Sequence, residues 1–231
     1  MAIEAFPSNE QTVLSGPRVE NRPIRLYCQE VERKRGRPPK ADGAKAVEER
    51  ILDSACSLFY KEGVHAVGVD RVLAEADAAK ASLYAHFESK DSLVAAYLKR
   101  RSQQTQELIE ARVGSGGDAR ERLLRLFDVM REIAQRDDFR GCPFQNAVSE
   151  IADPRHPARQ VVRRHRRWLE DLVRRLVEEA EVPEVERTTR AIVVLYDGAA
   201  ASTLGDGNTR AVESARWAAS RLLATPRGSV G

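Results

Sequence analysis

The run Gly68-Val69-Asp70-Arg71-Val72-Leu73-Ala74-Glu75-Ala76-Asp77-Ala78-Ala79-Lys80-Ala81-Ser82-Leu83-Tyr84-Ala85-His86-Phe87 decides the fold of this chain. Val69, Val72, Leu73 and Ala76 recur at helical spacing, which predicts a short helix with one apolar face. Asp77-Ala78-Ala79 reads as a tight turn, because Asp tolerates the left-handed conformation better than most residues other than Gly. A second helix starts near Lys80. Leu83 and Phe87 lie four apart and point inward, whereas Lys80, Ser82, Tyr84 and His86 mostly fall outside that stripe. Two short helices across a tight turn make a helix-turn-helix, which lays its second helix in the DNA major groove.

The flanks agree. Val47, Ile51, Ala55, Leu58 and Phe59 form the buried stripe of a helix from about Ala44 to Glu62, and Gly63 ends it. Cys56 sits inside this helix as a small core residue, and His65 in the following connector reads as structural. On the other side Ser89 is an N-cap, with Asp91 in the first turn favourable to the helix dipole.

Residues Ile51 to Lys90 resemble the tetracycline-repressor (TetR) family of bacterial transcription regulators. The resemblance rests on Ile51, Ala55, Leu58 and Phe59, on Gly63, and on Ala79-Lys80-Ala81-Ser82-Leu83-Tyr84-Ala85-His86-Phe87 followed by Ser89-Lys90-Asp91-Ser92-Leu93. It implies an all-α chain with an N-terminal three-helix helix-turn-helix domain and a C-terminal helical bundle for ligand binding and dimerisation. It implies phosphate contacts from Lys80, Tyr84, His86 and Lys90, and at Ala81 a small residue that lets the backbone approach DNA. With Gly68 and Ser82 these complete the expected contact set of the compact domain. The chain departs from the family where Ser or Thr is usual at Gly68, Gly at Asp77 and often a hydroxyl at Ala79. A Gly cap costs only a few tenths of a kcal/mol relative to Ser or Thr; Ala79 removes one phosphate contact.

Composition bounds the rest. A chain of 231 residues holds one large or two small domains, and its abundant charged and scarce aromatic residues favour helices. The net charge is only +3, so basic charge serves nucleic acid only where it is local. Cys28, Cys56 and Cys142 are far apart and odd in number, which argues against a disulfide framework and for a reducing compartment. No apolar run approaches the roughly 18 residues of a membrane span, and the N-terminus lacks a signal pattern. A cytoplasmic protein is expected.

Three segments are expected: an extension over 1–41, the helix-turn-helix domain over 42–90, and the ligand-binding and dimerisation domain over 91–231. Residues 1 to about 32 carry no sustained periodicity and read as loose; a natural start further in, for example at Val31, is the alternative. Arg33-Lys34-Arg35-Gly36-Arg37-Pro38-Pro39-Lys40 resembles an AT-hook core. Gly36 removes the side chain that would block a narrow groove and Pro38 holds the backbone extended. Arg35 and Arg37 can then enter the minor groove of A·T-rich DNA. The bland alternative is a solvated basic linker.

Beyond Ser89 the pattern predicts helices over Lys90 to about Val113, Asp118 to Arg136, a short one from Gly141-Cys142-Pro143 through Ile151, and a long one from Ala158 to Ala180. Arginines crowd one side of the long helix. We read them, with His165, as a solvated face paired with Glu170, Asp171, Glu178 and Glu179. Two last helices, about Glu184 to Leu204 and Thr209 to Ala224, follow. The first is apolar nearly all round, more than one face of a monomer needs. By the resemblance these two pair with a second copy in a homodimer; a wholly intramolecular bundle is the alternative.

No motif of a hydrolase elbow, a phosphate loop, a dinucleotide fold or a zinc protease occurs, and His and Cys show no close metal-ligand spacing. Neither an enzyme nor a cofactor is expected. Cys142 sits at a helix start, a setting that lowers thiol pKa, against the reading of a packed turn residue. If the implied small-molecule pocket exists, Phe127, Met130, Phe144, Asn146, Trp168 and Tyr196 are its candidates, with Asn146 and Tyr196 as polar groups. The expected function is a ligand-responsive repressor on a palindromic operator. The rival is an architectural binder of A·T-rich DNA that uses the basic arm and needs no ligand.

Overall fold

The computed structural model describes residues 43–114 and 116–224. Among these it forms nine helices and no strand: α1 (Gly43–Glu62), α2 (Val69–Ala76), α3 (Lys80–Phe87), α4 (Lys90–Val113), α5 (Ala119–Ala134), α6 (Pro143–Glu150), α7 (Pro157–Glu179), α8 (Val185–Asp206) and α9 (Arg210–Leu223). The all-α expectation holds. The arm with Arg35 and Arg37, and Cys28, lie outside the described residues.

Local chemistry sets the breaks. Gly63 ends α1 at φ +95°, with its N–H donating to the Phe59 carbonyl at 3.1 Å. Asp77 closes α2 in the left-handed region at φ 48°, ψ 56°, as the turn reading requires. Ser89 caps α4 by accepting the Ser92 N–H at 3.1 Å. Asp118 caps α5, Pro143 occupies the first turn of α6, and the His156 ring caps α7 by accepting from the Ala158 N–H.

Helices α1 to α3 form a small head around Ile51, Ala55, Phe59, Val72, Leu83 and Phe87, all buried. Helix α4 runs from this head into the body, where it packs on α7 and α5. Helix α8 lies along α7 and α9, and α9 along α5. Leu93, Leu98, Ile109, Leu123, Leu126, Phe127, Leu176 and Ile192 make one continuous core.

Two polar residues depart from expectation. His165 is not part of the solvated arginine face of α7: it is buried, because it shares the i, i+3, i+4 stripe of Val161, Trp168 and Leu169. Arg101 of α4 is also buried. Its guanidinium lies 4.8 Å over the Tyr60 ring and 5.8 Å from that of Tyr97, and donates to the Cys56 carbonyl at 3.4 Å. Arg163, Arg164, Arg166, Arg167 and Arg175 are exposed as expected, but among the described residues the pairing within the helix is confined to Arg174, and Glu179 pairs with Arg122 of α5 instead. Arg174 pairs with Glu170 and Asp171, and also with Glu186; Arg166 pairs with Asp197 of α8.

Candidate nucleic-acid interface

The head is built to hold α3 outward. Val72, Leu73 and Ala76 bury one face of α2 against α1, and Leu83 and Phe87 bury one face of α3. Arg50 of α1 then locks the turn: its Nε donates to the Ala76 carbonyl at 3.0 Å and its Nη2 to the Asp77 carbonyl at 3.1 Å. These two carbonyls end α2 and lack helical partners, so a charged fork from a neighbouring helix replaces water at the corner. Nothing in the local spacing singled out Arg50. Its role depends on a contact 26 residues away.

On the outer side of α3, Lys80, Ala81, Tyr84 and His86 are exposed and Ser82 is half-buried. Tyr84 keeps 46% of its surface open. Lys80 Nζ lies 3.1 Å from Asp70 of α2. His86 Nδ1 lies 3.8 Å from Glu48 of α1. Lys90, in the first turn of α4, is half-buried. Gly68 caps α2 without a side-chain bond at an ordinary φ of −81°, and a Cβ added there meets nothing within 4 Å. Neither steric space nor conformation therefore demands Gly at 68.

The charge of the head is unexpected. Between residues 47 and 90, Arg50, Lys61, Arg71, Lys80 and Lys90 face Glu48, Glu49, Asp53, Glu62, Asp70, Glu75, Asp77 and Glu88. Arg71 is held by Glu62 at 2.7 Å, and Arg50 is turned to backbone carbonyls. A helix-turn-helix with more carboxylates than cations draws little on long-range attraction to phosphates.

In the body, the ligand-pocket candidates fall into separate groups. Phe144 stacks on His165 with ring centroids 3.7 Å apart, and Trp168 lies 5.5 Å beyond. Phe127 meets Tyr196 edge-on at 5.9 Å, and Met130 is buried. Asn146 joins neither group. It donates to the Arg140 carbonyl at 2.7 Å and lines a cleft of about 400 Å³ between α1, α4, α6 and the end of α8.

His165 organises the first group. Gln106 Nε2 donates to Ser102 Oγ at 3.0 Å, and Ser102 Oγ lies 2.9 Å from His165 Nδ1. The Ser102 hydroxyl, with one proton and two acceptor lone pairs, can bond Nδ1 in either ring tautomer. Burial pushes the pKa of His165 down to about 4. Burial also raises the phenol of Tyr196 and the thiol of Cys142, although the Phe144 and Gln145 N–H groups oppose the latter shift. Cys142 is thus held as a thiol, in keeping with the packed turn residue rather than the activated one. The interior offers neutral hydrogen-bonding groups among stacked rings.

A groove of about 740 Å³ runs between α8 and α9, lined by Val194, Leu195, Gly198, Ala199, Ser202, Ala215 and Trp217 among others. Val194 is 66% exposed and Trp217 63%. Among the described residues no helix is long and apolar enough to cross a membrane, and no three His, Cys, Asp or Glu side chains gather as a metal site.

The comparisons with known proteins agree with this arrangement. Residues 51–97 match the model of the bacterial regulatory proteins of the tetR family. Residues 119–219 match the tetracyclin repressor-like C-terminal domain. A TetR-family transcriptional regulator from Streptomyces coelicolor is 33% identical, with a TM-score of 0.73 over 78% of this chain and 95% of that one. A putative TetR transcriptional regulator from Streptomyces avermitilis is 30% identical, with a TM-score of 0.67 over 75% of this chain and 97% of that one. The reduced form of NemR from E. coli shares the fold at 20% identity, with a TM-score of 0.71 over 79% of this chain and 99% of that one. No curated protein matches the chain. With its outward α3, its all-helical body and these matches at both ends, the chain belongs to the TetR family of DNA-binding bacterial transcription regulators, a family of regulators and not of enzymes.

Proposed function

We propose that the protein is an effector-responsive repressor that binds a palindromic operator as a homodimer through α8 and α9. The observation that carries the dimer is the open apolar face of these helices. Val194 and Trp217 lie on solvent beside a groove floored by Gly198, Ala199 and Ala215, small residues that let another helix approach closely. A twofold partner suits this reading, because one eight-residue α3 reads few bases, whereas two read half-sites about 34 Å apart. Sedimentation of the full chain tests it. The wild type runs as a dimer at micromolar concentration and the Val194→Glu, Trp217→Glu variant as a folded monomer; a wild-type monomer contradicts the reading.

In the same proposal Lys80, Tyr84, His86 and Lys90 hold phosphates, Ser82 and Ala81 approach the groove, and Gly68 begins the supporting helix. The effector enters the body among Phe144, Trp168, Phe127, Met130 and Tyr196 and tilts α4.

The acidic balance of the head favours a second component. Arg33, Lys34, Arg35, Arg37 and Lys40 precede α1 and supply five cations that the head lacks. We assign them to the DNA backbone and minor groove, where they add affinity to a site chosen by α3. An arm that chose the site alone would make the protein the architectural A·T-rich binder instead.

A further inference from the structure

Charge is not spread evenly along α7. Its first half, from Pro157 to Arg167, carries Arg159, Arg163, Arg164, Arg166 and Arg167 and no carboxylate. Its second half, from Trp168 to Glu179, sets Arg174 and Arg175 among Glu170, Asp171, Glu178 and Glu179. A face that served solubility alone would interleave the signs throughout, since opposite charges three or four residues apart support each other.

Two of the first five arginines are engaged. Arg159 donates to the Ile151 carbonyl at 3.0 Å and to the Val148 carbonyl at 3.3 Å, and Arg166 pairs with Asp197 at 2.6 Å. Arg163, Arg164 and Arg167 are exposed. Arg163 reaches only the Pro154 carbonyl at 3.5 Å, too long for a good hydrogen bond. Among the described residues Arg164 and Arg167 meet no carboxylate. Three guanidinium groups thus stand on one side of the helix within about 6 Å of its axis.

The place of this face in the fold decides what it fits. The His156 ring at the start of α7 lies 3.3 Å from Asp91 in the first turn of α4, beside Lys90. From there α7 runs away from the head alongside α4, with His165 against Ser102 and Trp168 against Glu110. The helix therefore begins level with the turn to which a phosphate contact is assigned above. Arg163 lies seven residues further, about 10 Å along the axis, and an arginine stem extends well past its own turn. The head itself has more carboxylates than cations, and its Arg50 and Arg71 are engaged within it. An acidic protein segment matches the same charge, but continuity with the first turn of α4 favours DNA.

We propose that the first half of α7 is a second DNA surface, on which Arg163, Arg164 and Arg167 hold backbone phosphates of the duplex that flanks the operator. The inference rests on the reading of α3 as the groove-facing helix. Guanidinium forks match phosphate oxygens, and contacts of this kind add affinity and salt dependence without base preference.

The test compares the full-length wild type with the triple variant Arg163→Gln, Arg164→Gln, Arg167→Gln. Affinity is measured against salt on three duplexes: the selected operator trimmed to its two half-sites, the same operator with long flanks, and a random sequence of the flanked length. On the flanked operator and the random duplex the variant's slope of log affinity against log salt is lower by about 2 to 3 per chain. On the trimmed operator the two proteins agree, which also shows that the variant is folded. Lysine at the same three positions restores the slope, and Arg175→Gln, in the mixed half of the helix, leaves it unchanged. An unchanged slope on the flanked operator overturns the proposal in favour of an acidic protein partner or of solvent. An equal loss on the trimmed operator overturns the assignment to flanking duplex. A matching fall per charge in Arg175→Gln overturns it as an effect of net charge. A wild type that prefers no sequence contradicts the reading of α3 instead, and the random duplex then decides the α7 surface by itself.

Discussion

His165 is a histidine kept neutral inside a bundle, and its energetics follow from that. Burial lowers its pKa to about 4, against about 6.5 in the unfolded chain. As pH falls the unfolded chain takes up the proton first, so the stability that His165 contributes is whole above about pH 6.5 and is lost progressively down to about pH 4. At pH 5 the loss amounts to about 2 kcal/mol. Chemical denaturation at pH 7.5 and pH 5 should therefore narrow the gap between wild type and His165→Phe by about that amount. Parallel losses in the two proteins would mean that the ring is not held neutral. At the head, Lys90→Ala should weaken operator and unrelated DNA to a similar degree. It should also lower the slope of log affinity against log salt by about 1 per chain, as a phosphate contact requires. An unchanged slope would remove Lys90 from the contact set. The side chains that the sequence hid are of one kind: Arg101, Ser102 and His165 are polar residues on apolar stripes. Their spacing marked them as buried, and their chemistry masked it, because the partners that make burial tolerable come from distant helices.

At the scale of the element, the legible features were those with local causes. Gly63, Asp77, Ser89 and Pro143 punctuate the chain by their own backbone preferences or caps, and the helices fall between them within a residue or two. The arrangement of α6 was not legible. The Tyr60 hydroxyl donates to the Gly141 carbonyl at 3.1 Å and Glu150 accepts the His65 N–H at 2.8 Å, contacts across more than 80 residues that no period in the sequence encodes. Asp77 offers a direct check on turn energetics. Its φ of 48° is costly for a side chain with a Cβ, and Gly relieves that cost. The Arg50 fork reaches only backbone carbonyls here and is retained in the variant. Asp77→Gly should thus leave stability within about 1 kcal/mol of wild type, whereas Arg50→Met should lose about 1–2 kcal/mol. Equilibrium urea unfolding measures both. A neutral Arg50→Met would show that water serves the corner equally well.

In the proposed function the whole molecule divides its work between an acidic reading head and the basic stretch that precedes it in sequence. Pattern and resemblance placed the head, the all-α body and the open last pair of helices. The sign of the head's charge can be counted in the sequence; what the structure adds is that Arg50 and Arg71 are turned to partners within the head. Removal of residues 1–41 takes away the five cations between Arg33 and Lys40. The salt slope should fall by up to about 4 to 5 per chain while the preferred sequence stays the same. If the slope does not move, the basic stretch is a solvated linker.

The most direct measurement is selection of bound DNA from a random library by the purified full chain, repeated without residues 1–41. One enriched twofold-symmetric site is expected in both, bound less tightly by the shorter chain. Enrichment of A·T-rich DNA without symmetry, lost on truncation, would contradict the proposed function.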